Sequence, residues 1–225
     1  MPDPKRSGVL FDVDGTLVDT TYLHTVAWWE ALRQAEHRVP MAVIHRSIGM
    51  GSDKLLDHLL GAERDRDDDE RLRDAHDSLF AGWFERLAPL PRAADLLRAC
   101  AARGLRVVLA TSAAEHEVAA LRRTLDADDV LDTVTSSADA KESKPAPDIL
   151  TAALDQAGLD PAEVVFVGDS VWDVAAAGKL DIPCIGLACG GTSRGELAGA
   201  GAVAVYDDPA ALLAGLAESP IGALR

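Results

Sequence analysis

Two aspartates stand one residue apart at the end of an apolar run near the start of the chain. The run at residues 9–11 is followed by Asp12 and Asp14, and then directly by Gly15 and Thr16. Alternate residues of an extended chain point to the same face, so we expect both carboxylates to point the same way. Gly15 allows a sharp turn and Thr16 adds a hydroxyl. Taken alone, this pattern fits either a solvated turn or a binding site.

Other polar side chains occupy comparable places later in the chain. They follow predicted strands or lead into a predicted helix: Thr111, Ser112, Lys144, Gly168, Asp169 and Asp173. Singly, Thr111 is typical of a turn and Lys144 of a protein surface. The carboxyl ends of parallel strands meet at one edge of a sheet, where ligands of such folds bind. The coincidence therefore predicts a single polar site that includes Asp12 and Asp14.

Carboxylates gathered at one edge repel one another and raise one another's pKa. A divalent cation removes that conflict, and a site of oxygen ligands without Cys or His favours Mg²⁺ over zinc. The hydroxyls of Thr111 and Ser112 are suited to phosphate oxygens. Together, the cation and Lys144 supply the positive charge that an anionic substrate needs in an acidic protein.

The composition is that of an ordinary globular protein with an excess of acidic residues. The 225 residues include 37 acidic and 22 basic side chains, for a formal net charge of −15. Such a charge repels phosphate backbones and anionic lipid, so we expect neither nucleic acid nor membrane as a partner. Three cysteines without metal-ligand spacing favour a reduced, cytoplasmic setting. The N-terminus lacks a signal-peptide pattern, and no apolar stretch reaches the roughly 18 residues of a membrane span.

Short β-branched runs alternate with helix-like segments through most of the chain. This alternation predicts an α/β fold with a Rossmann-like parallel sheet covered by helices on both faces. Between the first two strands, however, the sequence shows only helical patterns. We predict that residues 20–88 form an all-helical cap, inserted into a core of residues 1–19 and 89–225. Pro89 and Pro91 are expected to stiffen the return to the core.

Four short motifs carry a resemblance to a known family. "DVDGT", "LATS", "KPAPD" and "GDSVWD" occur in this order and resemble the four motifs of the haloacid dehalogenase superfamily. The helical insertion after the first motif resembles the cap of its phosphoglycolate phosphatase and β-phosphoglucomutase branch. Each motif is unspecific by itself, but four in order, with a cap at the expected place, cover essentially the whole chain.

The resemblance implies a role for each matching residue. It implies that Asp12 is the nucleophile that forms an aspartyl-phosphate, and that Asp14 is a general acid and then a base. The implied Mg²⁺ ligands are Asp12, Asp14 (through its backbone carbonyl) and Asp169. The residues implied to hold the phosphoryl oxygens are Thr111, Ser112 and Lys144. The implied supporting residues are Gly15, Thr16, Gly168 and Asp173, of which the last either orders a water at the metal or braces the loop.

The cap contains a second, separate set of candidates for contact with the substrate. These are His24, Trp28, Gly49, Met50 and Ser52. The segment "IGMGSD" resembles a loop that enters the active site in this branch, although a plain helix–helix turn with Ser52 as N-cap fits equally well. Trp28 is most simply a core residue, and His24 is more often a solvated or hydrogen-bonded residue than a catalyst. Ser52 stands where the mutase carries an arginine for a second phosphate, and Arg92 stands where the family commonly has a glycine, which predicts a changed hinge.

The function predicted from the resemblance is a Mg²⁺-dependent phosphatase of a small phosphorylated metabolite, such as phosphoglycolate or a sugar phosphate, acting as a monomer or homodimer. Asp14 favours phosphoryl transfer, because the dehalogenases of the family lack this second acid. The missing cap arginine favours hydrolysis over a β-phosphoglucomutase-like reaction, which stays the alternative. A receiver-like signalling protein would need neither this length nor a cap, and a non-catalytic binding protein would not need every catalytic position filled.

Overall fold

Six apolar segments rich in β-branched residues form one parallel sheet. The computed structural model describes residues 7–224 of the chain. The strands are β1 (Gly8–Phe11), β2 (Arg106–Ala110), β3 (Thr133–Thr135), β4 (Val164–Gly168), β5 (Cys184–Leu187) and β6 (Ala204–Tyr206). Their order in the sheet is β3-β2-β1-β4-β5-β6, and every neighbouring pair is parallel. The predicted parallel α/β sheet is confirmed.

The strand order reverses beside β1, which lies between β2 and β4. Phe11, the last residue of β1, is in register with Leu109 on one side and Val167 on the other. The residues that follow β1, β2 and β4 consequently leave the sheet side by side at its carboxyl edge. In doubly wound sheets, this edge beside the reversal is where ligands bind.

Helices cover both faces of the sheet. The helices within residues 7–224 are α1 (Thr21–Gln34), α2 (Met41–Ser47), α3 (Ser52–Leu60), α4 (Asp69–Ala81), α5 (Ala93–Ala102), α6 (Glu115–Leu125), α7 (Asp148–Ala157), α8 (Val171–Gly178), α9 (Arg194–Ala200) and α10 (Pro209–Ala214). Alternate strand residues point to opposite faces. Val9 and Val107 accordingly pack with α5, α6 and α10, whereas Leu10 and Phe166 pack with α7, α8 and α9.

The four helices between β1 and α5 pack around an apolar cluster of their own. We call α1, α2, α3 and α4 the cap helices; they bury Trp28, Leu32, Ile44, Leu56 and Leu72. The sequence predicted an all-helical segment here, but α2 does not stand out in it. This helix is only seven residues long, too short for a helical period to stand out from chance. The boundaries of the cap at residues 20 and 88 stay a prediction.

Arg92 is the N-cap of α5 and has a left-handed backbone with φ of 63°. A side chain in this region strains the backbone by about 1–2 kcal/mol, whereas glycine adopts it freely. The glycine that the resemblance predicted at this position would therefore suit this turn. Arg92 instead donates a hydrogen bond to Asp95 in the first turn of α5, which ties the strained residue to the helix.

The N-terminal segment that bears on the signal-peptide prediction, residues 1–6, lies outside the described residues, as does the start of the predicted core segment 1–19. Within residues 7–224, no helix combines the length and the apolar composition that crossing a bilayer requires. Cys100, Cys184 and Cys189 all carry free thiols.

The packing of α5 on the sheet makes a testable prediction. Leu97 is fully buried between α5 and the strands, so Leu97→Ala leaves a cavity and should lower the free energy of unfolding by about 2–5 kcal/mol. Urea denaturation of the purified protein measures this change. The matched control on the same helix is Asp95→Ala, which removes only a surface ion pair and should change the free energy of unfolding by less than about 1 kcal/mol.

Candidate active site

A buried lysine joins two carboxylates at the carboxyl edge of the sheet. Lys144 is fully buried, and its Nζ lies 2.5 Å from Oδ1 of Asp12 and 2.8 Å from Oδ1 of Asp173. Burial acts to lower the pKa of Lys144, but the charges of Asp12 and Asp173 outweigh it, so the pKa is raised. Lys144 is therefore held as a cation. The structure thus brings together three residues that the sequence keeps far apart.

Asp169 adds a third carboxylate to this group. One carboxylate oxygen from each of Asp12, Asp169 and Asp173 lies within 4.8 Å of the others. Thr16 links two of them, since its Oγ1 lies 3.3 Å from Oδ2 of Asp12 and 3.1 Å from Oδ1 of Asp169. Burial raises the pKa of Asp12 to about 7, against the opposing charge of Lys144. Burial and the neighbouring charges likewise raise the pKa of Asp169.

These carboxylates fit a divalent cation. Three negative charges face the single positive charge of Lys144, which leaves two charges to be balanced when all three acids are ionised. The ligand atoms on offer are oxygens, as Mg²⁺ requires. Asp173 is the least available of the three, because its Oδ2 accepts hydrogen bonds from the Ser170 hydroxyl at 2.6 Å and the Ser170 N–H at 3.1 Å. The bracing role considered for Asp173 is thus the one its contacts support.

Three glycines allow the backbone to approach these carboxylates. A Cβ at Gly15, whose φ is +77°, would lie 2.5 Å from Oδ2 of Asp169, and one at Gly168 would lie 2.5 Å from Cβ of Asp173. A Cβ at Gly190 would lie only 1.6 Å from Oδ2 of Asp169. Gly15 and Gly168 were predicted from the sequence as supporting residues, whereas Gly190, which lies in the turn before α9, was not. That turn does end in a capped helix, since Ser193 accepts a hydrogen bond from Glu196 N–H.

Asp14 faces a different set of neighbours from Asp12. Its Oδ1 lies 2.7 Å from the hydroxyl of Thr20 and 3.2 Å from Nε2 of His24, and its Oδ2 lies 3.4 Å from the hydroxyl of Thr111. Burial acts to raise the pKa of Asp14, but the hydrogen bond and charge of His24 outweigh it, so the pKa is lowered. Two carboxylates two residues apart therefore have their pKa values pushed in opposite directions.

A chain of hydrogen bonds extends from Asp14 through two histidines. Nδ1 of His24 lies 3.0 Å from Nε2 of His76, and Nδ1 of His76 lies 2.8 Å from Oδ1 of Asp77. Burial acts to lower the pKa of His24, but its bond to Asp14 outweighs this and raises it. Burial lowers the pKa of His76 to about 4. The raised pKa favours the protonated form of His24, in which one ring N–H donates to Asp14 and the other to a neutral His76, which in turn donates to Asp77.

His76 and Asp77 were not among the residues predicted from the sequence. They lie on α4, next to a run of charged residues that has the pattern of a solvated helix face. His76 is nevertheless buried, stacked on Trp28 with ring centroids 4.3 Å apart. Trp28 is a buried core residue of the cap helices, as predicted. Of the two states considered for His24, solvated or hydrogen-bonded, the structure shows the second, but no local sequence pattern pointed to its partner His76.

A cavity of about 490 Å³ lies between the cap helices and the carboxyl edge of the sheet. Asp12 and Asp14 line it together with the segment 48–53 and His24. The volume suits a small molecule. Ser112 also lines the cavity, and its hydroxyl has no hydrogen-bond partner. The hydroxyl of Thr111, in contrast, already accepts a hydrogen bond from Ala113 N–H at 3.0 Å. Of the two predicted hydroxyls, Ser112 is the one left free.

The cap loop of residues 48–53 lies against the loops of the core. A Cβ at Gly49 would lie 2.6 Å from the Ser170 hydroxyl, and one at Gly51 would lie 2.2 Å from Cβ of Ser143. Met50 and Ser52 line the cavity. The segment connects α2 to α3, as the alternative of a helix–helix turn predicted, but Ser52 is not the N-cap: Gly51 holds that position and Ser52 is the first residue of α3.

Further polar contacts join the cap helices to the core. Nε2 of His45 lies 3.0 Å from the carbonyl oxygen of Gly190, and Nε1 of Trp172 donates to the carbonyl oxygen of Arg46 at 2.9 Å. The side chain of Asp53 accepts from the Ser143 hydroxyl. Two ion pairs lie at the surface of this contact: Arg46–Glu196 and Lys54–Glu142, each at 3.0 Å.

One known protein family matches most of the chain. Residues 7–181 match the family of hydrolases described as haloacid dehalogenase-like hydrolase. The chain belongs to this family. Membership makes it a hydrolytic enzyme, and it agrees with the resemblance that the four sequence motifs carried.

Individual members of the haloacid dehalogenase-like family are similar along most of the chain. A phosphoglycolate phosphatase from Rhodospirillum rubrum is 34% identical over 220 residues, which cover 91% of this chain and 88% of the relative. A hydrolase from Pseudomonas syringae superposes with a TM-score of 0.90 at 33% identity, covering 95% of this chain and 99% of its own. The structure of CbbY from Rhodobacter sphaeroides in complex with phosphate has a TM-score of 0.75 at 25% identity, covering 92% and 96%.

The burial of His76 makes a prediction about the stability of this family member. Its pKa of about 4 in the folded chain lies below the ordinary 6.5, so the unfolded chain binds a proton first as the pH falls. Stability should therefore fall between about pH 6.5 and about pH 4, with His76 contributing up to about 3 kcal/mol of the loss.

Urea denaturation of the wild type and of His76→Gln at about pH 7 and about pH 4.5 measures this contribution. The variant should lose less stability on acidification than the wild type. His58→Gln removes an exposed histidine and should keep the wild-type pH dependence. An equal loss in the wild type and His76→Gln would show that His76 does not titrate in this range.

Proposed function

We propose that this haloacid dehalogenase-like hydrolase is a Mg²⁺-dependent phosphatase of a small phosphorylated metabolite. The observation that carries the proposal is the ion pair between Asp12, which lines the cavity, and the fully buried Lys144. The charge of Lys144 opposes the effect of burial on Asp12 and so favours the ionised carboxylate, which is the nucleophilic form. The relatives named phosphoglycolate phosphatase support the same reaction.

Mg²⁺ would be held by the carboxylates of Asp12 and Asp169 and by the backbone carbonyl of Asp14. When bound, the cation neutralises negative charge on the carboxylates and on the phosphoryl group. Gly190 and Gly15 leave room for Asp169 in its present position. Asp173 holds Lys144 and Ser170 in place and is not needed as a ligand.

In the first step, a carboxylate oxygen of Asp12 attacks phosphorus, and the bond between phosphorus and the leaving oxygen breaks. The negative charge of the bound substrate raises the pKa of Asp14, so Asp14 takes up a proton from solvent. It delivers this proton to the leaving oxygen, which departs as an alcohol. The product on the enzyme is a phosphoryl group bonded to Asp12. Lys144 and the free hydroxyl of Ser112 bind the phosphoryl oxygens, whose charge is the main target of stabilisation.

In the second step, water attacks phosphorus and the bond to Asp12 breaks. Asp14 accepts the proton of the attacking water, so the site returns to its starting state with release of inorganic phosphate. Asp14 needs to keep one position through both steps. Thr20 and His24 hold it there through hydrogen bonds of 2.7 Å and 3.2 Å to the same oxygen.

The cavity also favours a substrate with a second anionic group. Arg73 and Lys141 line it, and neither forms an ion pair with another residue of the described chain 7–224. In a protein with a net charge of −15, two cations without acidic partners mark a place for an anion. A short phosphorylated carboxylic acid such as phosphoglycolate provides one. A β-phosphoglucomutase-like reaction on a sugar phosphate stays the alternative.

The remaining predictions on setting and assembly are part of this proposal. A monomer or homodimer in the cytoplasm is proposed, and the three free thiols support a reducing compartment. The proposed binding partner is a small phosphorylated molecule. Nucleic acid and membranes are not proposed as partners.

Replacement of the nucleophile tests the reaction. Asp12→Asn should lower kcat for p-nitrophenyl phosphate by at least about 10⁴-fold, because the amide cannot form the phosphorylated intermediate. EDTA should abolish wild-type turnover, and added Mg²⁺ should restore it. The matched control is Asp19→Asn, which alters an exposed aspartate in the same segment. Full activity of Asp12→Asn would refute the mechanism, and interconversion of sugar phosphates with little release of phosphate would favour the mutase.

Removal of the cavity cations tests the substrate class. Arg73→Gln and Lys141→Gln should each raise KM for phosphoglycolate about 10-fold, since each loses a charged hydrogen bond of about 1.5 kcal/mol. Neither variant should change KM for p-nitrophenyl phosphate, which has no second anionic group. Steady-state kinetics with both substrates distinguishes this result from a general loss of activity. Equal changes for both substrates would refute the assignment of an anion site.

A further inference from the structure

A cluster of two histidines and a glutamate lies beside the proposed catalytic carboxylates. His24 on α1, His76 on α4 and Glu117 on α6 are 8%, 5% and 4% exposed. One ligand atom from each lies within 4.8 Å of the other two. All three line the cavity. The cluster shares no side chain with the group formed by Asp12, Asp169 and Asp173.

Glu117 leaves one carboxylate oxygen without a partner. Its Oε2 accepts a hydrogen bond from Ala114 N–H at 2.9 Å, but its Oε1 is buried and has no hydrogen-bond partner. Burial raises the pKa of Glu117. A buried oxygen of this kind destabilises the fold unless something binds it, so Oε1 marks a place for a ligand.

The two histidines are oriented as metal ligands usually are. One nitrogen of each ring lies within hydrogen-bond distance of a carboxylate: Nε2 of His24 of Asp14, and Nδ1 of His76 of Asp77. The other two ring nitrogens, Nδ1 of His24 and Nε2 of His76, face each other at 3.0 Å. In metal sites, a histidine typically donates its second N–H to a carboxylate, which fixes the ring and strengthens the other nitrogen as a ligand.

We propose that His24, His76 and Glu117 bind a transition metal cation such as Zn²⁺ where the cap helices meet the core. Two imidazole nitrogens and one carboxylate oxygen suit this class of metal and do not suit Mg²⁺. The cation takes the place of the proton between the two rings, and binding therefore releases protons. The three protein ligands leave a fourth position open toward the cavity, for water or a small anion.

The three proposed ligands come from two different parts of the protein. His24 and His76 belong to the cap helices, whereas Glu117 belongs to α6 of the core. A bound cation therefore joins the cap helices to the core at the wall of the cavity. Because the inference concerns metal binding and not turnover, it holds independently of the proposed phosphatase reaction.

A neighbouring group of residues offers a competing arrangement. Asp77, His116 and Glu117 also place ligand atoms within 4.8 Å of one another. His116 is exposed, however, and Asp77 already accepts a hydrogen bond from His76. His116→Ala is therefore the matched control, since it removes a nearby histidine that is not in the proposed site.

Titration of the full chain with Co²⁺, in excess Mg²⁺, tests the proposal. The wild type should bind one Co²⁺ with the intense visible absorption of a four-coordinate site, and Zn²⁺ should displace it. Glu117→Gln and His76→Phe should each weaken Zn²⁺ binding by more than about 100-fold, and Asp77→Asn by about 10- to 100-fold. His116→Ala and Asp169→Asn should bind Co²⁺ as the wild type does.

The controls separate the alternatives. Circular dichroism and thermal unfolding of each variant establish that it is folded, and Glu117→Gln preserves the shape of the side chain. Retention of the absorption in folded Glu117→Gln would overturn the proposal. Loss in His116→Ala would assign the metal to the neighbouring group, and loss in Asp169→Asn would assign it to the catalytic carboxylates; either result would also overturn it.

Discussion

The ion pairs of Lys144 are the interaction on which the arrangement of the site depends. This lysine is completely buried, and it is stable there only because Asp12 and Asp173 surround its charge. Breaking such a buried pair from one side leaves an uncompensated charge and costs about 3–5 kcal/mol. The three residues come from the end of β1, the segment before α7 and the first turn of α8. The same interaction therefore fixes the relative positions of three loops at the carboxyl edge of the sheet.

The two aspartates of the first motif have separate electrostatic surroundings. Asp12 shares its buried space with other carboxylates and one lysine, whereas Asp14 is bonded to Thr20 and His24. Burial and repulsion raise the pKa of the first, and the histidine lowers the pKa of the second. Without a bound cation, Asp12 therefore holds a proton more readily than Asp14, although both belong to one motif.

The sheet could be predicted from the sequence because its strands are short apolar runs separated by helical patterns. The group around Lys144 was predictable for a related reason, since Asp12, Asp169 and Thr111 each follow directly from a strand end. His76 and Glu117 were not predictable. They lie on helices whose sequences contain many charged residues, and they are buried only by tertiary contacts such as the packing of α4 against α1. Gly190 was not predicted from the sequence because its role depends on contact with Asp169, a residue distant in sequence.

The polar contacts between the cap helices and the core differ from those of the site in their response to salt. The ion pairs Arg46–Glu196 and Lys54–Glu142 lie at the surface, so each contributes less than about 1 kcal/mol to the contact. Exposed pairs weaken further as ionic strength rises. Dissolved salt therefore weakens the contact between the cap helices and the core, while the buried ion pairs of Lys144, shielded from solvent, are screened much less.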